Sequence, residues 1–427
     1  MNINVEDISS IKKKVSIEIS VDQVAQEVES FYKDLGKKAK IKGFRPGKVP
    51  RNILERYFKD YVKTEVIQKL IQESYPTALS ESHLHPVSDP TIDPGELESG
   101  KPFQYSATLE VKPEIALEGY LGLNIEGKKE EVKEEEVEGR LKSLQNLHAN
   151  LKTIQESRPI QKGDFVIVDY DAKMDGKPLE EAKAIDSTVE VGSGRFIPTF
   201  EEKLIGLKTD EEGEIEVSFP EDYGYKKWAG KTISFHVKVK EIKEKILPVL
   251  DDEFAKDLGD YSTLAELKAK LQEEIEREKQ SVLDRQLKDQ MVELLLQKSK
   301  FDVPESLVEG QTKTLVSDTK LRLASQGLKM DSLDVSDEKL QQDYRETAMK
   351  QVRTFLILEK IADQEGIKVT DDEADNRLRE ISERTRQKFD VVKRYYEKNE
   401  LIPEVKAGIM NEKTLNFLLE KANIKYS

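Results

Sequence analysis

Phe44 and Arg45 sit in the run Gly43-Phe44-Arg45-Pro46-Gly47-Lys48-Val49-Pro50, where the sign of the chain reverses. Between Phe31 and Arg51 there are eight cations (Lys33, Lys37, Lys38, Lys40, Lys42, Arg45, Lys48 and Arg51) against one acid, Asp34, in a chain of net charge -15. The chemistry of such a patch is non-covalent. It draws in an anionic partner locally, because steering and counterion release act on the patch and not on the average. An exposed aromatic beside an arginine suits docking on RNA and protein together; the plainer alternative is a solvated turn. Covalent chemistry finds little support elsewhere. The chain has no cysteine, which excludes disulfides and thiolate catalysis, and it offers no convincing nucleophile–base pair. His83 and His85 form a His-x-His pair before Pro86 without a third ligand nearby, so no metal is expected. Gly192-x-Gly194 lacks both the third glycine of a dinucleotide fingerprint and the Gly-Lys-Ser/Thr ending of a phosphate loop, so no cofactor is expected.

Helices and strands must place these residues. Gly43, Pro46, Gly47 and Pro50 break any helix, which predicts a tip between two helical stretches. The first runs from Asp22 to about Lys40, with Val24, Val28, Phe31 and Leu35 on one face; the second runs from about Arg51 to Leu79. Alternation at Val15, Ile17 and Ile19, and again from Phe103 to Val111, predicts strands. Together these make a small α+β domain ending near Lys112-Pro113. A charged helix follows, with a narrow stripe of Val137, Leu141, Leu144, Leu147 and Leu151 that some other helix must cover. From Gly163 to Lys243 the texture becomes short strands and glycine turns, with strands expected at 165–170, 188–191, 214–219 and 232–242. The last of these sets Ile233, Phe235, Val237 and Val239 on one face and His236 on the other, which argues against a catalytic histidine. Beyond Asp251 the pattern is almost wholly helical, with no fixed-period repeat.

Gly43, Phe44, Arg45, Lys48 and Pro50 match the Gly-Phe-Arg-x-x-Lys-x-Pro ribosome-docking signature of the trigger factor family, which this chain resembles over essentially its full length. The resemblance implies that Lys42, Gly43, Phe44, Arg45, Pro46, Gly47, Lys48 and Pro50 contact the ribosome. A second resemblance covers 163–243, which looks like an FKBP-type peptidyl-prolyl isomerase. It rests on Gly163-Asp164-Phe165-Val166, the stretch Gly192 to Glu201, the run Phe219 to Gly224 and the final strand. Carried over by position, Tyr170, Phe196, Ile197, Phe200, Tyr223 (or Tyr225) and Phe235 would line the prolyl pocket. Glu180-Glu181-Ala182 stands where the small drug-binding members carry a Phe-Asp pair, and the loop 225–230 is short and lacks histidine. Tight macrolide binding is therefore not expected.

The expected fold class is multidomain α+β. It comprises a small α+β ribosome-docking domain (1–112), a linker or arm (113–149), an FKBP-like antiparallel half-barrel (150–245) and an elongated all-α C-terminal body with arms (246–427). The implied function is an ATP-independent chaperone at the ribosomal tunnel exit that shields nascent chains and isomerises X-Pro bonds. Its partners would be the large subunit, through ribosomal protein and rRNA, nascent and unfolded polypeptides, and a second copy when off the ribosome. The N-terminus lacks a basic n-region and an apolar h-region, and no apolar run spans a membrane, so a cytoplasmic location without membrane contact is expected. The alternative is a stand-alone FKBP-type isomerase dimerised by its helices.

Overall fold

The computed structural model describes the chain except residues 42, 43, 45–47, 157, 175, 222, 224, 226, 327–335 and 427. It divides into two compact units, one made of 1–128 with 284–427 and the other of 129–283.

The first unit opens with β1 (Asn2–Asp7) and β2 (Lys12–Ile19), then α1 (Val21–Lys38), α2 (Arg51–Glu81), β3 (Thr91–Asp93), β4 (Phe103–Glu110) and the short β5 (Asn124–Gly127). The antiparallel sheet runs in the order β1-β2-β4-β3. Its alternating apolar residues turn to one side: Val15, Ile17 and Ile19 of β2 lie beside Ala107, Tyr105 and Phe103 of β4. Helix α2 covers that side with Val62, Val66, Leu70, Ser74 and Ala78, a row at spacing four that keeps one stripe inward over several turns. Ser74 is the polar member of the row. Its hydroxyl donates to the Leu70 carbonyl and meets the buried Tyr105 hydroxyl at 2.7 Å, so the phenol does not go unpaired in the core. At Phe58 the helix leaves helical geometry (φ -128°, ψ 15°), which kinks it near its start.

The second unit begins with α3 (Glu134–Leu147) and β6 (Asn150–Thr153). Then come β7 (Phe165–Met174), β8 (Lys177–Glu190), α4 (Pro198–Leu204), β9 (Glu212–Ser218), β10 (Thr232–Ile246), α5 (Asp252–Leu258) and the first half of α6 (Leu264–Lys298). Strand β10 is the hub: its two halves pair β9 and β6, and along most of its length it pairs β7, which in turn holds β8. Ile233, Phe235, Val237 and Val239 of β10 are buried; a bulge between Val239 and Glu241 then shifts the alternation so that Ile242 is buried too. The stripe on α3 is shorter than its spacing suggests. Val137 and Leu141 pack with Phe254, Ala255, Leu267 and Leu271 of α5 and α6, whereas Leu147 closes the helix exposed and Leu151 lies in β6.

The first unit resumes in the rest of α6, followed by α7 (Glu305–Ser325), α8 (Asp337–Glu365), α9 (Asp371–Arg384), α10 (Phe389–Lys398), α11 (Ile402–Glu420) and β11 (Asn423–Tyr426). Their ends carry capping chemistry. Ser336 accepts from the Lys339 amide, Thr370 and Glu373 form a capping box, and Gly366 closes α8 in the left-handed region (φ 67°). Glu110 at the end of β4 accepts from the amide and hydroxyl of Ser306 on α7, and Lys112 pairs with Glu359 of α8 at 2.6 Å. Val352 and Leu356 of α8 bury Ile115, while β11 pairs in parallel with β5. The sheet, its exit segment and the C-terminal helices thus share one body. Among the described residues no helix is long and apolar enough to cross a membrane.

Candidate functional site

Four aromatic rings from three different elements converge in the second unit. Tyr170 comes from β7, Phe235 from β10, Phe200 from α4 and Phe196 from the turn before it. Tyr170 lies 5.7, 5.8 and 6.0 Å from Phe196, Phe200 and Phe235; Phe196–Phe200 and Phe200–Phe235 are 5.2 and 5.4 Å, between ring centroids. Most are edge-to-face, the arrangement that ring quadrupoles favour. Burial is graded. Phe200 and Phe235 are closed off at 0% and 1% exposure, Tyr170 and Ile197 are half-buried, and Phe196 stands at the rim at 38%. Tyr170 also sits between two register shifts in the β7–β8 ladder, after Val168 and before Ala172. Bulges of this kind interrupt pairing and re-aim a side chain. Burial pushes its phenol up, with a hydrogen bond to Ser187 acting the other way, so it stays a neutral hydroxyl at physiological pH.

A second ring group joins the same domain core through Phe219 and Trp228. Tyr223 packs on Phe219 at 4.7 Å, Trp228 lies 5.4 Å from Phe219, and Tyr225 meets Trp228 edge-on at 5.2 Å. Tyr223 and Tyr225 therefore serve different neighbours in the same flap. Trp228, which packs against the domain core, carried no signal in the sequence beyond being the chain's one tryptophan.

What holds the rim is a buried carboxylate that the sequence did not single out. Glu201 on α4 is fully enclosed. It accepts hydrogen bonds from the amides of Gly194 (2.8 Å) and Phe196 (2.9 Å) and from the Ser193 hydroxyl (3.3 Å). Burial pushes its pKa up, but these donors outweigh that and hold the carboxyl below its ordinary value. The turn that presents Phe196 is thus tied from inside by one side chain. The available signal was slight: Glu201 follows Phe200 directly, a few residues after the glycine turn at Gly192 and Gly194. A second such tie closes the entry to the domain. Asp164 accepts both arms of Arg158 (2.6 and 2.7 Å) and the Gln161 amide, and despite burial its carboxyl is also held low.

The basic segment lies in the other unit, between α1 and α2. Phe44 is exposed (39%), and its amide donates to the Ile41 carbonyl at 3.0 Å. Lys33, Lys37, Lys38, Lys40 and Lys48 are all exposed. Pro50 is the residue before α2, where its fixed φ and missing donor cost nothing. Arg51 acts within the domain: it stacks on Tyr32 at 5.0 Å and pairs with Glu29 and Glu55, joining the two helices below the tip. Lys42, Gly43, Arg45, Pro46 and Gly47 lie outside the described residues.

Comparison with known proteins places three stretches of the chain in known families. Residues 1–144 match the family model of the bacterial trigger factor protein, 263–420 match its C-terminal model, and 156–240 match the FKBP-type peptidyl-prolyl cis-trans isomerase. The trigger factor of Geotalea uraniireducens (strain Rf4) is 40% identical over 425 residues, covering 99% of this chain and 98% of its own. The chain belongs to the trigger factor family. The trigger factor of Geobacter sulfurreducens is 38% identical over 425 residues, with 99% of each chain covered. A solved structure described as "Promiscuous Substrate Recognition in Folding and Assembly Activities of the Trigger Factor Chaperone" shares the fold, with TM-score 0.58 at 22% identity and coverage of 99% of this chain. As a trigger factor the protein is a ribosome-associated, ATP-independent chaperone that binds nascent chains and carries a prolyl isomerase domain. The reading as a stand-alone isomerase on a helical scaffold is thereby set aside.

Replacing Glu201 with alanine frees the turn and should lower prolyl isomerisation while leaving ribosome binding unchanged. Because its folded pKa is depressed, the stability it adds is present above the unfolded pKa and is lost as pH falls through the lower folded value. Acid titration of the isomerase unit's unfolding should therefore be shallower in Glu201→Gln. An unaltered acid profile together with unaltered turnover would contradict the role.

Proposed function

We propose that X-Pro bonds are isomerised in the pocket of Tyr170, Phe196, Ile197, Phe200, Tyr223 and Phe235. We further propose that the segment Lys42, Gly43, Phe44, Arg45, Pro46, Gly47, Lys48 and Pro50 docks the protein on the large ribosomal subunit. The observation that carries the first part is the graded burial of the four-ring cage. Rotation about an X-Pro bond is slow because the planar amide must give up its resonance, at a barrier of about 18–20 kcal/mol. A dry aromatic wall cannot solvate the polar planar amide, and it fits the twisted state better, where charge separation is smaller. Tighter binding of the twisted form than of the planar one is sufficient catalysis, with no acid, base or metal. Phe196 at the rim would admit the prolyl ring, and Phe200 and Phe235 would form its floor. Tyr223, packed on Phe219, is preferred over Tyr225, which turns to Trp228.

For the docking segment the supporting observation is Phe44, exposed among exposed lysines at the end of a helical hairpin. Such a tip would meet rRNA phosphates with its cations and a ribosomal protein with its aromatic, beside the tunnel exit. The working domain limits are 1–112 for docking, 113–149 for the linker, 150–245 for isomerisation and 246–427 for the helical chaperone part. The protein would act in the cytoplasm and pair with a second copy when off the ribosome.

Replacing Phe44, Arg45 and Pro46 together with alanine should abolish co-sedimentation with ribosomes and leave prolyl isomerisation intact; equal sedimentation would refute the docking assignment. Phe196→Ala should do the reverse. A loss of about tenfold in isomerisation, roughly 1.4 kcal/mol of transition-state binding, is expected with ribosome binding spared, and unchanged turnover would remove the pocket.

A further inference from the structure

Strand β1 is an unpaired sheet edge whose first four residues are uncharged. It forms one side of the sheet β1-β2-β4-β3, and its six residues pair β2 in continuous register from Asn2–Glu18 to Asp7–Lys13. The Ile8 amide donates to the Lys12 carbonyl at 2.9 Å, which fixes the alternation of the ladder. Asn2, Asn4 and Glu6 exchange hydrogen bonds with β2, and the backbone groups of Ile3, Val5 and Asp7 point away from it. The other side of β2 agrees: the Val111 amide donates to the Ile11 carbonyl, so the odd residues of β2 serve β4. Among the described residues no donor or acceptor meets the outward groups of β1. Proteins blunt such edges with charged side chains, prolines, bulges or short length. Strand β3, at the opposite edge, is three residues long between Pro90 and Pro94, whereas Asn-Ile-Asn-Val-Glu-Asp has no proline and carries its charges, Glu6 and Asp7, at one end only.

We propose that β1 is a self-recognition strand, through which two copies of this chain pair antiparallel about Asn4. The sequence is complementary to itself in that register. Opposite residues share a face, so a two-fold axis at Asn4 sets Asn4 against Asn4, Ile3 against Val5 and Asn2 against Glu6. Ile3 and Val5 both carry outward backbone groups, and they become the hydrogen-bonded pairs. Their side chains lie on the face where Ile3 already packs on the domain core and Val5 is left 39% exposed. Asn2, Asn4 and Glu6 project on the polar face. Centring the axis on Glu6 instead would oppose two carboxylates, and centring it on Val5 would set Ile3 against Asp7. Of the two registers that pair five residues of β1, about Asn4 and about Val5, the Asn4 register alone matches apolar with apolar, and it opposes no like charges; an axis at Ile3 would pair only three. One strand pair falls far below the roughly 1,600 Å² of a stable interface, so the pairing is weak and reversible. The proposal rests on the reading that copies associate off the ribosome, and it names the surface.

Analytical ultracentrifugation of the full chain tests it, from about 5 to 200 µM, a range chosen for so small an interface. Asn4→Asp and Asn4→Lys should each weaken self-association by roughly three- to fivefold through like charges placed opposite one another, and mixing the two in equal amounts should restore it. Val5→Pro removes an outward donor without touching a bond to β2, and should weaken association by about tenfold, while circular dichroism reports unchanged folding. A dimer indifferent to all three variants would mean that copies meet elsewhere and would overturn the proposal alone. A monomer across the whole range would overturn both the proposal and the reading beneath it. If Val5→Pro spared the dimer but weakened binding of an extended model peptide, the edge would serve unfolded chains instead, and self-recognition would be rejected.

Discussion

Charge segregation is the constraint on which the other features depend. A chain of net charge -15 cannot approach an RNA-rich particle at random, because most of its surface is repelled. In the proposed docking, concentrating cations between Phe31 and Arg51 would turn that repulsion into orientation, with the basic segment attracted and the acidic remainder held off. The local structure keeps these charges available. Arg51 is engaged by Glu29, Glu55 and Tyr32 to join the two helices, while the five described lysines of the segment remain at the surface.

The proposed isomerisation site has a different requirement, which is dryness with one open side. Phe200 and Phe235 belong to the core of their own domain, so as the floor of that site they would not relax away from a substrate. The rim is more exposed: Phe196 touches the core through Tyr170 and Phe200, and its backbone is held by Glu201. A buried carboxylate is costly unless its lone pairs are filled, and three donors from a four-residue turn fill them here. The arrangement converts a surface loop into a positioned wall, with the carboxylate of Glu201 occupied by backbone and hydroxyl donors.

Much of this was legible in the amino-acid order, and the rest was not for identifiable reasons. The strands around Val15, Leu109 and Val237 bury one face against solvent on the other, so their alternation is plain. Helices α1 and α2 show because Val24, Val28, Phe31 and Leu35 in the one, and Val62, Val66 and Leu70 in the other, recur at helical spacing beside breakers at 43–50. Strand β8 was seen only at its end; it runs from Lys177 to Glu190 as an edge in the order β6-β10-β7-β8, where most positions face water and no periodicity is imposed. β1 and β11 escaped for the same reason, being short and largely exposed, with pairing supplied by a distant partner. Leu147 and Leu151 misled because helix α3 ends before the stripe does. In the candidate site the aromatics were readable by position. The turn that aims Phe196 was not, because Glu201 acts on backbone amides that leave no mark on composition.

The central claim is that a few cations on one tip carry attachment to the ribosome, and the dependence of ribosome affinity on salt tests it most directly. If the tip contacts two to four phosphates, log K should fall linearly with log salt at a slope of about -2 to -4. A slope near zero would contradict the account, leaving attachment to apolar contact and the charge reversal without a role.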